Sequence, residues 1–159
     1  MNENIDWYGK LIGNWEVEVI DYFEDGTKTQ TKGEWYFSRI LEGRAIQDIF
    51  ISPKRNQKIP DVAKVRNRCG TTIRFYDPNI NCWKITWFNP LSNVTNQLVA
   101  KKIGSNIIQE GIDAEGNIMR WSFVKITENS FQWSGEISTD GGETFTLKTE
   151  IFGKIKNNN

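Results

Sequence analysis

Apolar and polar positions alternate along almost the whole chain. In the first run Trp15, Val17 and Val19 alternate with Glu16 and Glu18, and a period of two marks a strand with one buried face. Asp25-Gly26 follows, a strong hairpin signal between two alternating runs. The same pattern recurs and predicts strands over 14–23, 27–39, 44–52, 69–77, 81–89, 93–103, 106–113, 117–126, 130–139 and 143–152. Turn residues separate them, among them Gly104-Ser105, Gly116 and Asp140-Gly141-Gly142. No window of helical length keeps a 3.6-residue period, and the one helical candidate is a turn around 5–12. Short links make neighbouring strands antiparallel. About ten such strands close most simply into a single up-and-down barrel, which also removes exposed edges. The expected fold is therefore all-β.

At 159 residues, one domain is expected, large enough to bury a core without metal or disulfide support. The barrel is assigned to 1–153, with 154–159 a frayed polar tail. Lys+Arg and Asp+Glu balance at 20 each, which argues against a nucleic-acid partner. Apolar runs are too short to span a membrane. The first ten residues do not read as a secretory signal. Together with only two cysteines, that points to a reducing, cytoplasmic setting. Histidine is absent, which excludes Ser-His-Asp and Cys-His catalysis, His-ligated haem and most zinc sites. No cofactor or metal is expected. Seven Trp, nine Phe and four Tyr are a heavy aromatic load.

Gly13-Asn14-Trp15, opening the first strand after a short helical turn, resembles the Gly-x-Trp signature of lipocalins and their calycin relatives. That resemblance implies that the Trp packs across one barrel end under a basic residue, with Lys148, Lys154 or Lys156 in that part. Arg74-Phe75-Tyr76-Asp77-Pro78, Arg120-Trp121-Ser122-Phe123 and Phe131-Gln132-Trp133 resemble uncharacterised bacterial lipocalin-like domains, which carry no assigned activity. Ser138-Thr139-Asp140-Gly141-Gly142-Glu143-Thr144-Phe145 resembles the Asp-box of sialidase-type propellers. Its single copy reads as a hairpin-stabilising turn.

Pairing the hairpins by turn length suggests an interior. Glu110 opposite Arg120, with Ser122 nearby, reads as a polar island on an apolar inner wall, where Arg120 would hold a ligand's acidic group. Phe75, Trp83, Trp87 and Trp133 read as an aromatic wall against which a small molecule stacks. Each has a plainer alternative: a cross-strand ion pair, or a solid aromatic core. The same pairing puts Thr72, Arg74 and Tyr76 outside, Cys69 inside and Cys82 outside, so the two thiols stay free. The segment 53–68 carries a formal charge of +5 and reads either as a lid that attracts anions or as a solvated loop. The expected function is interior binding of a small hydrophobic or amphipathic molecule, with or without an acidic group. The alternative is a small calycin-fold isomerase, cyclase or lyase using Glu, Tyr and Arg.

Overall fold

Ten strands form where the alternation places them: β1 (Gly13–Tyr22), β2 (Lys28–Ile40), β3 (Ala45–Ser52), β4 (Arg68–Asp77), β5 (Cys82–Asn89), β6 (Val94–Ile103), β7 (Asn106–Ile112), β8 (Ile118–Val124), β9 (Ser130–Ser138) and β10 (Thr146–Ile155). A single 3₁₀ turn, Gly9–Leu11, precedes them. The computed structural model describes residues 2–57 and 65–157. Every strand pairs with its sequence neighbours, and β10 returns to β1, so the sheet closes into an antiparallel barrel. Closure pairs every edge. Among the described residues no helix is long and apolar enough to cross a membrane.

The inner face follows one parity around the ring. Trp15 of β1 lies beside Trp35 of β2, Trp35 beside Phe50 of β3, and Ile46 of β3 beside Arg74 of β4. On the other arc Ile107 meets Phe123, Phe123 meets Trp133 and Trp133 meets Ile151. These rings make a continuous cluster in which Trp35 touches Phe37, Phe50, Phe123, Phe131 and Trp133 at centroid distances of 4.8–6.2 Å. Edge-to-face and tilted contacts of this kind add to the area they bury.

The N-terminal turn plugs one end. Tyr8 and Leu11 are fully buried, the Trp83 indole N–H donates to the Ile5 carbonyl at 2.8 Å, and the Trp15 indole N–H donates to Leu11 O at 2.8 Å. Trp15 lies under the Phe131 ring at 4.7 Å. Of the three candidate lysines, Lys156 meets this end through its backbone, its N–H donating to Asn14 O. Lys148 lies at the opposite end, beside the interior cavity.

Three expectations are corrected. In β4 the inner residues are Thr72, Arg74 and Tyr76, opposite Trp87, Ile85 and Trp83, so Phe75 points out and is 46% exposed. A four-residue turn, with Asn81 at φ 52°, joins Asp77 to Cys82 and shifts the pairing by one. In β8 the inner residues are Met119, Trp121 and Phe123, because Lys125 at φ 51° adds a residue to the β8–β9 connection. Finally, β10 runs through Ile155, whose N–H donates to Asn129 O, so the barrel extends past the expected boundary at 153. The cysteines are free. Cys69 shares the outer face with Cys82 but pairs near one end of the barrel, and Cys82 pairs with Asp77 near the other.

The Asp-box segment is the turn the sequence implies. Gly142 N–H donates to Ser138 Oγ at 2.8 Å, Thr144 N–H donates to Asp140 Oδ1 at 2.9 Å, and Gly141 and Gly142 have positive φ. The Thr144 hydroxyl most of all, then the Thr144 N–H and the Ser138 hydroxyl, hold the Asp140 carboxyl down at about 2.

Candidate functional site

Inside the barrel, between the aromatic cluster and the end away from the N-terminal plug, lies a cavity of about 280 Å³. Its walls are chiefly Trp35, Phe50, Trp87, Met119, Trp121 and Trp133, with Thr72, Arg74, Arg68 and Thr149 as polar members. Glycines make room for the rings. A Cβ on Gly135 would stand 2.8 Å from the Trp133 ring, and one on Gly70 would stand 2.6 Å from the Trp87 ring. Both indoles therefore pack close against a glycine.

Arg74 sits at the inner end of this cavity, 2% exposed. It pairs with Asp48, which is fully buried, and its Nε donates to Gln109 Oε1 at 3.2 Å. The same Gln109 oxygen accepts from the Tyr8 hydroxyl at 2.9 Å, and Gln109 Nε2 donates to Trp121 O. The guanidinium lies 5.0 Å from the Tyr8 ring centroid and 5.7 Å from those of Phe37 and Phe123. Nε and Nη1 are thus engaged, Nη2 makes no hydrogen bond of ordinary geometry among the described residues, and the guanidinium also lies close enough to the Tyr8 hydroxyl to favour its ionised form. A guanidinium with a spare donor edge beside an apolar space is equipped to take an anionic oxygen.

Burial raises the Asp48 carboxyl above the ordinary aspartate value, against the opposing pull of Arg74. The Trp35 indole and Thr72 hydroxyl also favour its charged form. Yet Asp48 Oδ1 and Trp35 Nε1 are both buried without a hydrogen bond of ordinary geometry. Tyr8, enclosed by the same network, has its phenol pushed well above its usual value by burial.

A second polar cluster stands at the cavity mouth. Arg68 forks onto Asp21 at 2.6 and 3.0 Å, and the Thr149 hydroxyl donates to Asp21 Oδ1 at 2.7 Å. Arg66 reaches across to Tyr22 O at 2.7 Å and Lys148 O at 3.0 Å, with its guanidinium 4.6 Å from the Phe23 ring centroid. The end of the basic β3–β4 connection is thereby tied to β1 and β10. Arg55, earlier in that connection, pairs with Glu34 instead. Lys58, Asp61 and Lys64, part of the expected lid, lie outside the described residues.

Of the residues singled out from sequence, Trp87 and Trp133 line the cavity. Trp83 faces inward but is packed at the plugged end against Tyr8 and Tyr76. Glu110 and Arg120 do pair across β7 and β8, at 3.7 Å, but on the outer face. There Arg120 stacks 3.5 Å from the Phe145 ring centroid. Ser122 and Phe75 share the outer parity. Arg74 and Gln109 were missed. The available signal was that an inner Trp83 and Trp87 force their register partners, Tyr76 and Thr72, inward, and Arg74 with them. A larger hollow of about 560 Å³ runs along the outer side of β1, β2 and β10, lined by charges of both signs including Lys32, Lys54, Glu16 and Glu34. Trp15, Val17, Phe131 and Phe152 stand among these charges.

A closed ten-strand antiparallel barrel, plugged by an N-terminal turn and opening with Gly-x-Trp, has a lipocalin-like fold. Among solved structures the chain is similar to an S-type phycobiliprotein lyase, CPES, from Guillardia theta. The TM-score is 0.63 at 6% identity, over 97% of this chain and 93% of that one. It is also similar to Rv2717c from M. tuberculosis, with a TM-score of 0.60 at 11% identity over 99% of each chain. Identities this low establish a shared fold. No family model matches the sequence, and no curated protein matches it.

Proposed function

We propose that this barrel binds a small amphipathic carboxylic acid, tail among the cavity indoles and carboxylate on Arg74. The observation that carries the reading is the buried Arg74 guanidinium on the lining of a cavity walled chiefly by Trp, Phe and Met, with no hydrogen bond of ordinary geometry at its Nη2. A cavity of about 280 Å³ stands at the lower edge of ordinary ligand pockets. A medium-chain monocarboxylate such as octanoate suits a cavity of this scale.

Titration of intrinsic tryptophan fluorescence tests this, because Trp87, Trp121 and Trp133 line the cavity. Octanoate is expected to bind more tightly than 1-octanol. Removing one member of a buried ion pair costs about 3–5 kcal/mol in stability, so the informative variant removes both charges. Asp48→Asn/Arg74→Gln is expected to weaken octanoate about ten-fold or more, the loss of one charge-assisted contact of roughly 1.5–3 kcal/mol, and to leave 1-octanol nearly unchanged. Arg120→Met, on the outer face, serves as the control and should change neither. Equal binding of acid and alcohol by the wild type would refute the carboxylate reading.

A further inference from the structure

The polar floor of the cavity presents one cation to two acids. Arg74 already holds Asp48 through Nη1, and the reading above brings a second carboxylate to Nη2. Two anions sharing one guanidinium that is itself buried repel strongly, because solvent screens them little. We propose that the interior site takes up a carboxylic acid together with one proton from solvent, the proton settling on Asp48 as the ligand's carboxylate settles on Arg74. The inference rests on the acid-binding reading and deepens it: Asp48 sets the protonation state in which the site is filled.

The geometry around Asp48 favours this residue as the proton's resting place. Its Oδ2 is on Arg74, while Oδ1 has no hydrogen bond of ordinary geometry, so a proton on Oδ1 gives up only the weaker pull of the Trp35 indole and Thr72 hydroxyl. The carboxyl is fully buried, and burial already disfavours its charged form. The surrounding elements offer little charge: β4 contributes Arg74, the N-terminal turn contributes Tyr8 held in its neutral form, and β2 and β7 contribute the uncharged Trp35 and Gln109. Asp21, Arg66 and Arg68 pair among themselves at the mouth. When the second carboxylate arrives, Arg74 balances it, and protonation removes the surplus negative charge. No covalent bond of the ligand changes.

Calorimetry of octanoate binding in pairs of buffers with different ionisation heats counts the protons exchanged. Free octanoate is ionised between about pH 6 and 9, so uptake there reports on the complex. The wild type is expected to take up close to one proton per octanoate within that range and none per 1-octanol. Asp48→Asn should abolish the uptake and bind octanoate about ten-fold more tightly with little pH dependence, since its guanidinium has a single anion to serve. Should that variant fail to fold, infrared difference spectra of the wild type decide the matter. Binding should create a protonated-carboxyl band that does not move when octanoate carries carbon-13 in its carboxyl. Octanoate binding with no proton exchange anywhere in the range overturns the inference and leaves the binding reading standing. A band that shifts with the ligand's label overturns it too, by placing the proton on the ligand. Absence of octanoate binding overturns both.

Discussion

Arg74 is held by geometry that no neighbour in sequence announces. Its Asp48 partner is 26 residues away and Gln109 is 35 away, so the site exists only once β3, β4 and β7 share an interior. Within the chain, Arg74 stands between Ile73 and Phe75, and alternation read alone sends the charged residue outward. The outcome is the reverse because the ion pair and Gln109 satisfy the guanidinium inside, while Phe75 stands half in water. Glu110 and Arg120 mislead in the opposite sense: their pairing is legible from the Asp113–Asn117 turn, but their face is not. Tyr8 carries a consequence at this scale. Its folded-state pKa lies above that of an unfolded tyrosine, so its contribution to stability is complete below about pH 10 and is lost as pH rises beyond that value. Urea denaturation between about pH 8 and 11 should therefore show the wild type weakening at the alkaline end, and Tyr8→Phe losing less over the same interval. Identical slopes would mean that Tyr8 is not the group responsible.

At the scale of strands and turns, the ten elements were legible and two registers were not. Strand positions follow from period two and from turn residues, and each observed strand lies within a few residues of its expected place. Face assignment needs the exact turn length, because one residue turns a whole strand over. Asn81 at φ 52° was a readable signal, since Asn tolerates the left-handed region. Lys125 at φ 51° was not, because Lys has no such preference. The strands also use glycine to seat indoles, and this yields an expectation. Gly135→Ala puts a methyl 2.8 Å from the Trp133 ring, so the ring must move toward the cavity. Overpacking of this kind costs about 1–3 kcal/mol, and octanoate should bind several-fold more weakly. A thermal melt and the fluorescence titration check the two effects, and an unchanged affinity would mean that Trp133 does not border the ligand.

For the molecule as a whole, the barrel has two unlike ends. The N-terminal turn seals one with Tyr8 and Leu11. The other leads from the mouth cluster of Asp21, Arg66 and Arg68 into the cavity. With histidine absent, Arg, Asp, Gln, Tyr and Thr are among the interior's polar groups, a set suited to recognising a carboxylate. The central claim is where a carboxylic acid sits, and a crystal structure with 8-bromooctanoate tests it most directly. The account predicts the carboxylate within hydrogen-bond reach of Arg74 Nη2 and the bromine's anomalous peak among Trp87, Trp121 and Trp133. A bromine found instead in the outer hollow along β1 and β10, or beside Arg120 and Phe145, would contradict it.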